Sequence, residues 1–155
     1  MERLEQITAK LLLKKKKTIA VAESCTGGLL SHRLTNIAGS SQYFKVGMVV
    51  YSDIAKRIFL KLPSSLIKKK GLVSKETVIY MAKRIRIVNK TEFGIGISGV
   101  AGPKSIENKP VGLVFIALAS KGKTFCRKFN FKGKRLSIKQ KAATAALKIL
   151  KECLV

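Results

Sequence analysis

The sequence predicts an α/β fold: a three-layer α/β/α sandwich with a mixed, mostly parallel sheet, in a single domain spanning residues 1–155. Three observations predict it. Short β-rich runs alternate with stretches of helical spacing through the first part of the chain. The last two strands are adjacent, separated only by the turn Lys121-Gly122-Lys123. Two glycine-containing segments follow apolar strands, where open α/β sheets collect ligands.

Each element follows from its pattern. Glu2 to Lys17 places Leu4, Ile7, Leu11 and Leu12 at helical spacing, with a basic end that suits a helix C-terminus. Thr18 to Ala22 is a buried strand. A helix is expected from Thr26 to Ile37, then a turn at Ala38-Gly39-Ser40-Ser41. Phe44 to Tyr51 is rich in β-formers. Ser52-Asp53 caps a short helix through Leu60. Leu62 to Lys70, which carries Pro63, is read as a loop. Ser74 caps a helix to about Val88, with Glu76 in its first turn. Phe93 to Ile97 is a strand whose Gly94 and Gly96 are read as close backbone packing. Ser98 to Pro103 is a tight loop after it. Val111 to Ala119 is nearly all apolar, so it is a central strand covered on both faces. Thr124 to Phe131 suits an edge or antiparallel strand. Lys134 to Cys153 is a final amphipathic helix.

Composition excludes several classes. No charge-free apolar run is long enough to span a bilayer, and the N-terminus lacks the layout of a signal peptide, so a cytoplasmic protein without membrane partners is expected. Cys25, Cys126 and Cys153 are far apart and form no CxxC pair, against a disulfide framework or zinc site. His32 is the only histidine, which excludes a multi-histidine metal centre. Neither the P-loop pattern nor G-x-G-x-x-G occurs, so ATP and NAD have no support and no cofactor is expected. The formal charge is +24, from 32 Lys+Arg against 8 Asp+Glu. The basic residues are spread along the whole chain with no aromatic stacking motif beside them. They read as surface drift toward lysine, with non-specific polyanion binding at low salt.

The chemistry concentrates at Ala22-Glu23-Ser24-Cys25-Thr26-Gly27-Gly28, where a strand meets a helix. Such a junction exposes side chains at the strand's carboxyl end and aims free N–H groups at a ligand. Cys25 is intrinsically the strongest nucleophile there. His32 lies two helical turns away, about 10 Å along the axis, too far to serve as its base. Ser24 needs a base, and with no usable histidine a lysine of depressed pKa is the natural choice. Lys56 follows the strand ending at Tyr51, and both side chains project toward the same rim.

An ordered set of motifs then carries a resemblance: residues 22–28 above, Gly39-Ser40-Ser41, Gly47 through Tyr51 with Lys56, Gly71-Leu72-Val73-Ser74 with Met81-Ala82, Gly99-Val100-Ala101-Gly102-Pro103, Lys109-Pro110-Val111-Gly112 and Gly133-Lys134-Arg135. Across nearly its whole length the chain resembles the CinA C-terminal domain family. That resemblance implies an anticodon-binding-domain-like α/β/α sandwich, a homodimer, and metal-independent hydrolysis of nicotinamide mononucleotide to nicotinate mononucleotide and ammonia. It implies Ser24 as nucleophile, Lys56 as base and Tyr51 as a third catalytic residue, with either Lys56 or Tyr51 returning a proton to the departing ammonia. Thr26, Gly27 and Gly28 would supply oxyanion donors, and Gly99, Gly102 and Arg135 would hold the substrate phosphate. Larger members carry a further N-terminal domain linked to ADP-ribose pyrophosphatase activity. One hundred and fifty-five residues leave no room for it, so that activity is expected to be absent.

The chain departs from the family at four places. Asp53 replaces a common asparagine, and an acid near Lys56 would raise its pKa. The loop after Pro103, Lys104-Ser105-Ile106-Glu107-Asn108, lacks glycines common there. Lys134 replaces an acid, and Lys139 an arginine. The alternatives are a basic, non-catalytic nucleic-acid-associated module and a degenerate family member that keeps the fold without turnover.

Overall fold

The inner strands of the sheet carry large side chains on one face and small ones on the other, and this asymmetry sets where the helices lie. A computed structural model describes residues 1–155. The elements run α1 (Leu4–Lys14), β1 (Ile19–Glu23), α2 (Leu29–Thr35), a 3₁₀ turn (Ser40–Gln42), β2 (Phe44–Val49), α3 (Asp53–Leu60), α4 (Ser64–Lys70), α5 (Lys75–Asn89), β3 (Phe93–Gly99), β4 (Leu113–Ser120), β5 (Lys123–Asn130) and α6 (Arg135–Leu154). The strand order is β2-β1-β3-β4-β5. β2 and β3 pair parallel with β1, while β4 is antiparallel to both β3 and β5. Four of the five strands therefore share one direction. α1, α2 and α6 cover one face; α5, with α3 and α4 beside it, covers the other.

Ile19, Val21, Ile95, Ile97, Ile116 and Leu118 join the larger core, under α1, α2 and α6. Ala20, Ala22, Ala117 and Ala119 lie on the opposite face with α5 side chains Val78, Met81, Ala82 and Ile85. Those four recur at i, i+3, i+4 and i+7, one stripe of a helix. Gly94 and Gly96 let α5 come closer still. A Cβ on Gly94 would stand 2.2 Å from the Ala82 carbonyl oxygen, and one on Gly96 2.5 Å from that of Val78. The close-packing reading of those glycines is correct.

Three expectations need correction. The helix after β1 begins at Leu29 rather than Thr26, because Gly27 and Gly28 adopt left-handed conformations at φ +60° and +98°. Residues 64–70 form α4 rather than a loop. Pro63 precedes it at φ −64°, Gly71 ends it, and three lysines suit its C-terminal dipole. β3 runs on to Gly99, so Ser98 and Gly99 are strand residues and the loop starts at Val100. Elsewhere the expected caps hold: the Ser52 and Ser74 hydroxyls accept the N–H groups of Ala55 and Thr77.

Candidate active site

The parallel strands β1, β2 and β3 bring the segments after Glu23, Val49 and Gly99 to one crevice. Hydrogen bonds lock the junction. The Ser24 N–H donates to the Ile97 oxygen at 3.0 Å, and the Val50 N–H donates to the Glu23 oxygen at 2.8 Å. Ser24 is thus fixed at the carboxyl end of the sheet, one residue past β1. A cavity of about 110 Å³ opens there, lined by Ser24, Lys56, Ser98, Gly102, Ile106 and Arg135 among others.

Lys56 is the unusual group. It sits on α3, which inverts the normal amphipathic pattern: Lys56 is 1% exposed, while Ile54, Ile58 and Phe59 are each more than half exposed. Its Nζ lies 3.0 Å from Ser24 Oγ and 2.8 Å from the Val50 carbonyl oxygen. Burial pulls its pKa down to about 8. Asp53 and Glu107 act in the opposite sense, as expected for Asp53, but desolvation outweighs them. Neighbouring Cys25 packs into the larger core, and burial pushes its thiol up to about 12. A thiol held protonated is a poor nucleophile. Of the two, Ser24 is therefore the better-placed candidate.

Glu23 is wholly buried and has a structural task. Its carboxylate accepts the N–H groups of Leu30 and Ser31, both at 2.9 Å, and the hydroxyls of Thr26 and Ser31, both at 2.6 Å. It therefore satisfies the first-turn donors of α2 and contacts Lys56 through no hydrogen bond. The Gly27 N–H is spent on the Ser24 oxygen at 3.0 Å, so it does not face a ligand. The N–H groups of Cys25, Thr26 and Gly28 have no partner within the chain.

At the mouth of the cavity, Arg135 opens α6. Its guanidinium donates to the Gly102 carbonyl oxygen and, at 2.6 Å, to the Tyr51 hydroxyl. Tyr51 is more than half exposed and bonds to neither Ser24 nor Lys56. Gly99 ends β3 on the cavity wall. Lys139, one turn along α6, brings its Nζ to 3.4 Å from where a Cβ on Gly27 would stand.

Sequence reasoning missed the far wall. Glu107 and Asn108 take left-handed conformations, φ +54° and +57°, which a non-glycine residue adopts less readily than glycine. The Glu107 carboxylate accepts the N–H groups of Leu72 at 2.7 Å and Val73 at 3.3 Å, and pairs with Lys109 at 3.0 Å. Those partners hold its own pKa below the usual carboxylate value against the opposing effect of partial burial. The clamp fixes the loop that puts Ile106 on the cavity. One signal was available: Glu107 is one of only eight acids in the chain. No three His, Cys, Asp or Glu side chains cluster as a metal site would need.

Known proteins place the chain in a family. The CinA-like protein of Syntrophus aciditrophicus is 45% identical over 155 residues, covering 99% of this chain and 37% of that protein. The CinA-like protein of Koribacter versatilis is 42% identical over 155 residues, covering 99% and 37%. The chain thus spans little more than a third of the length of the curated relatives it matches. Solved structures match end to end. The competence or damage-inducible protein of Enterobacter asburiae superposes with a TM-score of 0.95 at 31% identity, covering 100% of both chains. A CinA superfamily protein of Enterobacter cloacae gives 0.94 at 33% identity, covering 98% of this chain and 90% of that one. The CinA C-terminal domain model matches residues 1–154, and with 45% identity to a CinA-like protein it establishes that the chain belongs to the CinA C-terminal domain family.

Proposed function

We propose that this chain is a metal-independent amidohydrolase that converts nicotinamide mononucleotide to nicotinate mononucleotide and ammonia. The observation that carries the reading is the 3.0 Å contact between Ser24 Oγ and a Lys56 amine that is 1% exposed. A pKa of about 8 leaves roughly a tenth of the lysine neutral at pH 7, some three-hundred-fold more than an ordinary lysine.

The neutral amine keeps one N–H on the Val50 oxygen and directs its lone pair to the Ser24 hydroxyl. As Oγ attacks the amide carbon, its proton moves to Nζ. The oxyanion forms beside the unpartnered N–H groups of Cys25 and Thr26, and each such donor is worth about 3 kcal/mol. Collapse of the tetrahedral intermediate breaks the C–N bond, and the Lys56 ammonium returns the proton to the departing ammonia. Water then attacks the ester carbonyl. Lys56 takes a water proton and passes it to Ser24 Oγ as the ester C–O bond breaks, and the carboxylic acid formed gives up its remaining proton to solvent and leaves as a carboxylate.

Size sets the binding mode. A cavity of about 110 Å³ is below the usual 300–1,000 Å³ of a ligand pocket, so it accepts the carboxamide-bearing ring while the ribose and phosphate lie at the mouth. Arg135 on the cavity wall would be the cation for the phosphate, with Lys139, near Gly27, and the free N–H of Gly28 as further candidates.

The test is ammonia release from nicotinamide mononucleotide by purified protein. Ser24→Ala should lower turnover by at least a thousandfold, Cys25→Ala should retain most of it, and a chelator should change nothing. Well-folded wild-type protein that releases no ammonia at high enzyme concentration would refute the assignment.

A further inference from the structure

The face of β5 turned toward α6 carries a pattern hidden in the linear sequence. Alternate residues of a strand share a face. On this strand they are Lys123, Phe125, Arg127 and Phe129, with Phe131 following at the same period. Cation and aromatic side chains thus interleave along one row. Lys123 and Arg127 stand over the Phe125 ring at 5.7 and 5.6 Å from its centroid. The Phe129 and Phe131 rings stack at 5.1 Å with 10° between their planes. β5 is an edge strand, so nothing pairs beyond it.

Across from this row lies α6, and between them runs an open groove of about 440 Å³, separate from the Ser24 cavity. Its helical wall uses the stripe from Ser137 through Lys141, Thr144 and Lys148 to Glu152. That stripe is about 22 Å long at 1.5 Å per residue. The one acid, Glu152, is neutralised by Arg127 at 2.5 Å. The groove therefore joins the partly exposed Phe129 and Phe131 rings to an α6 wall that carries Lys141 and Lys148, and its one acid is paired.

We propose that this groove is a binding site for single-stranded nucleic acid. A flat apolar base stacks on an aromatic side chain whatever its identity, and lysines track the phosphates. The length of the groove selects a chain over a mononucleotide. Lys141 and Lys148 on its wall disfavour a second copy of this basic chain at this groove, so the homodimer that the family resemblance implies would use another face. The site is independent of Ser24 and Lys56, so it stands or falls apart from the amidase reading.

The experiment uses the Ser24→Ala protein and a fluorescein-labelled twelve-nucleotide oligothymidylate at near-physiological salt. Anisotropy should report binding that the same-length abasic strand reaches about tenfold less tightly. Phe131→Leu, which keeps apolar bulk and loses the ring, should weaken the thymidylate about tenfold and leave the abasic strand unchanged. Replacing Lys141 and Lys148 together by alanine should lower the slope of log affinity against log salt by about 1.4. Lys68 and Lys69 on α4, exposed and away from the groove, serve as the charge-matched control and should change neither strand's binding more than twofold. Equal losses in the two lysine pairs would reduce the effect to general polyanion attraction and overturn the proposal. So would equal affinity for the abasic strand, or equally tight binding of a polyglutamate peptide, which would mark an acidic protein surface as the partner.

Discussion

At the residue scale the decisive fact is the cost of Lys56. A lysine whose folded pKa falls to about 8 binds fewer protons folded than unfolded between pH 8 and 10.5. The unfolded state holds the extra proton in that window, so stability rises with pH across it. Below pH 8 the full penalty is present, on the order of 3 kcal/mol from the size of the shift. Lys56→Met removes the charge and keeps the length. It should abolish ammonia release and raise the midpoint of denaturation at pH 7, with the gain shrinking as unfolding is repeated toward pH 10.5. A loss of stability at pH 7 would mean that the buried amine contributes more through its two hydrogen bonds than it costs in desolvation. The same group sets the acid limb of kcat/KM: the proposed rate rises with pH and levels off above about 8, which a pH–rate profile checks. Sequence reasoning reached Ser24 and Lys56 through the lack of a usable histidine together with the family resemblance, since spacing alone does not single out Lys56 in a chain so rich in lysine. It missed Glu23 as the cap of α2, because a capping carboxylate usually sits just before a helix, and here it acts across a glycine turn.

At the element scale, most of the fold was legible because period and punctuation agreed. β4 is central and apolar, β5 is an antiparallel edge strand, and serine caps mark α3 and α5. The errors fell where a local rule competed with another. Pro63 reads as a loop residue, yet its fixed φ also starts a helix. Thr26 reads as a helix start, yet the two following glycines turn left-handed first. The sheet's small-residue face makes a sharper claim. Gly96→Ala would drive a Cβ into the backbone of α5, 2.5 Å from one carbonyl oxygen and 2.9 Å from the Ala82 nitrogen. Neither backbone atom can give way alone, so the change should cost about 3 kcal/mol in denaturant unfolding. Gly122→Ala, which meets nothing within 4 Å but sits at φ +77°, should cost only about 1 kcal/mol.

Across the whole molecule, every acid is committed. Glu2, Glu5, Glu76, Glu92, Glu107 and Glu152 each face a base. Glu23 caps α2, and Asp53 accepts the Ile54 N–H at the start of α3. The 32 Lys+Arg far outnumber these 8 acids, so the molecule as a whole carries a positive field. For the proposed reaction this field distinguishes what enters from what leaves. Deamidation replaces a neutral carboxamide with a carboxylate, formed beside Lys56. The new charge raises the amine's pKa and draws a proton onto it. The buried pair so formed holds the acid in place and keeps the base protonated, so catalysis restrains itself until the acid departs. Nicotinate mononucleotide should therefore inhibit at concentrations below the KM of the amide. That inhibition should weaken as pH rises past 8 and as salt is added, in initial-rate measurements with added acid. In the proposed reaction, the burial that would make Lys56 a base at neutral pH would thus make the acid product a tighter ligand than the amide it came from.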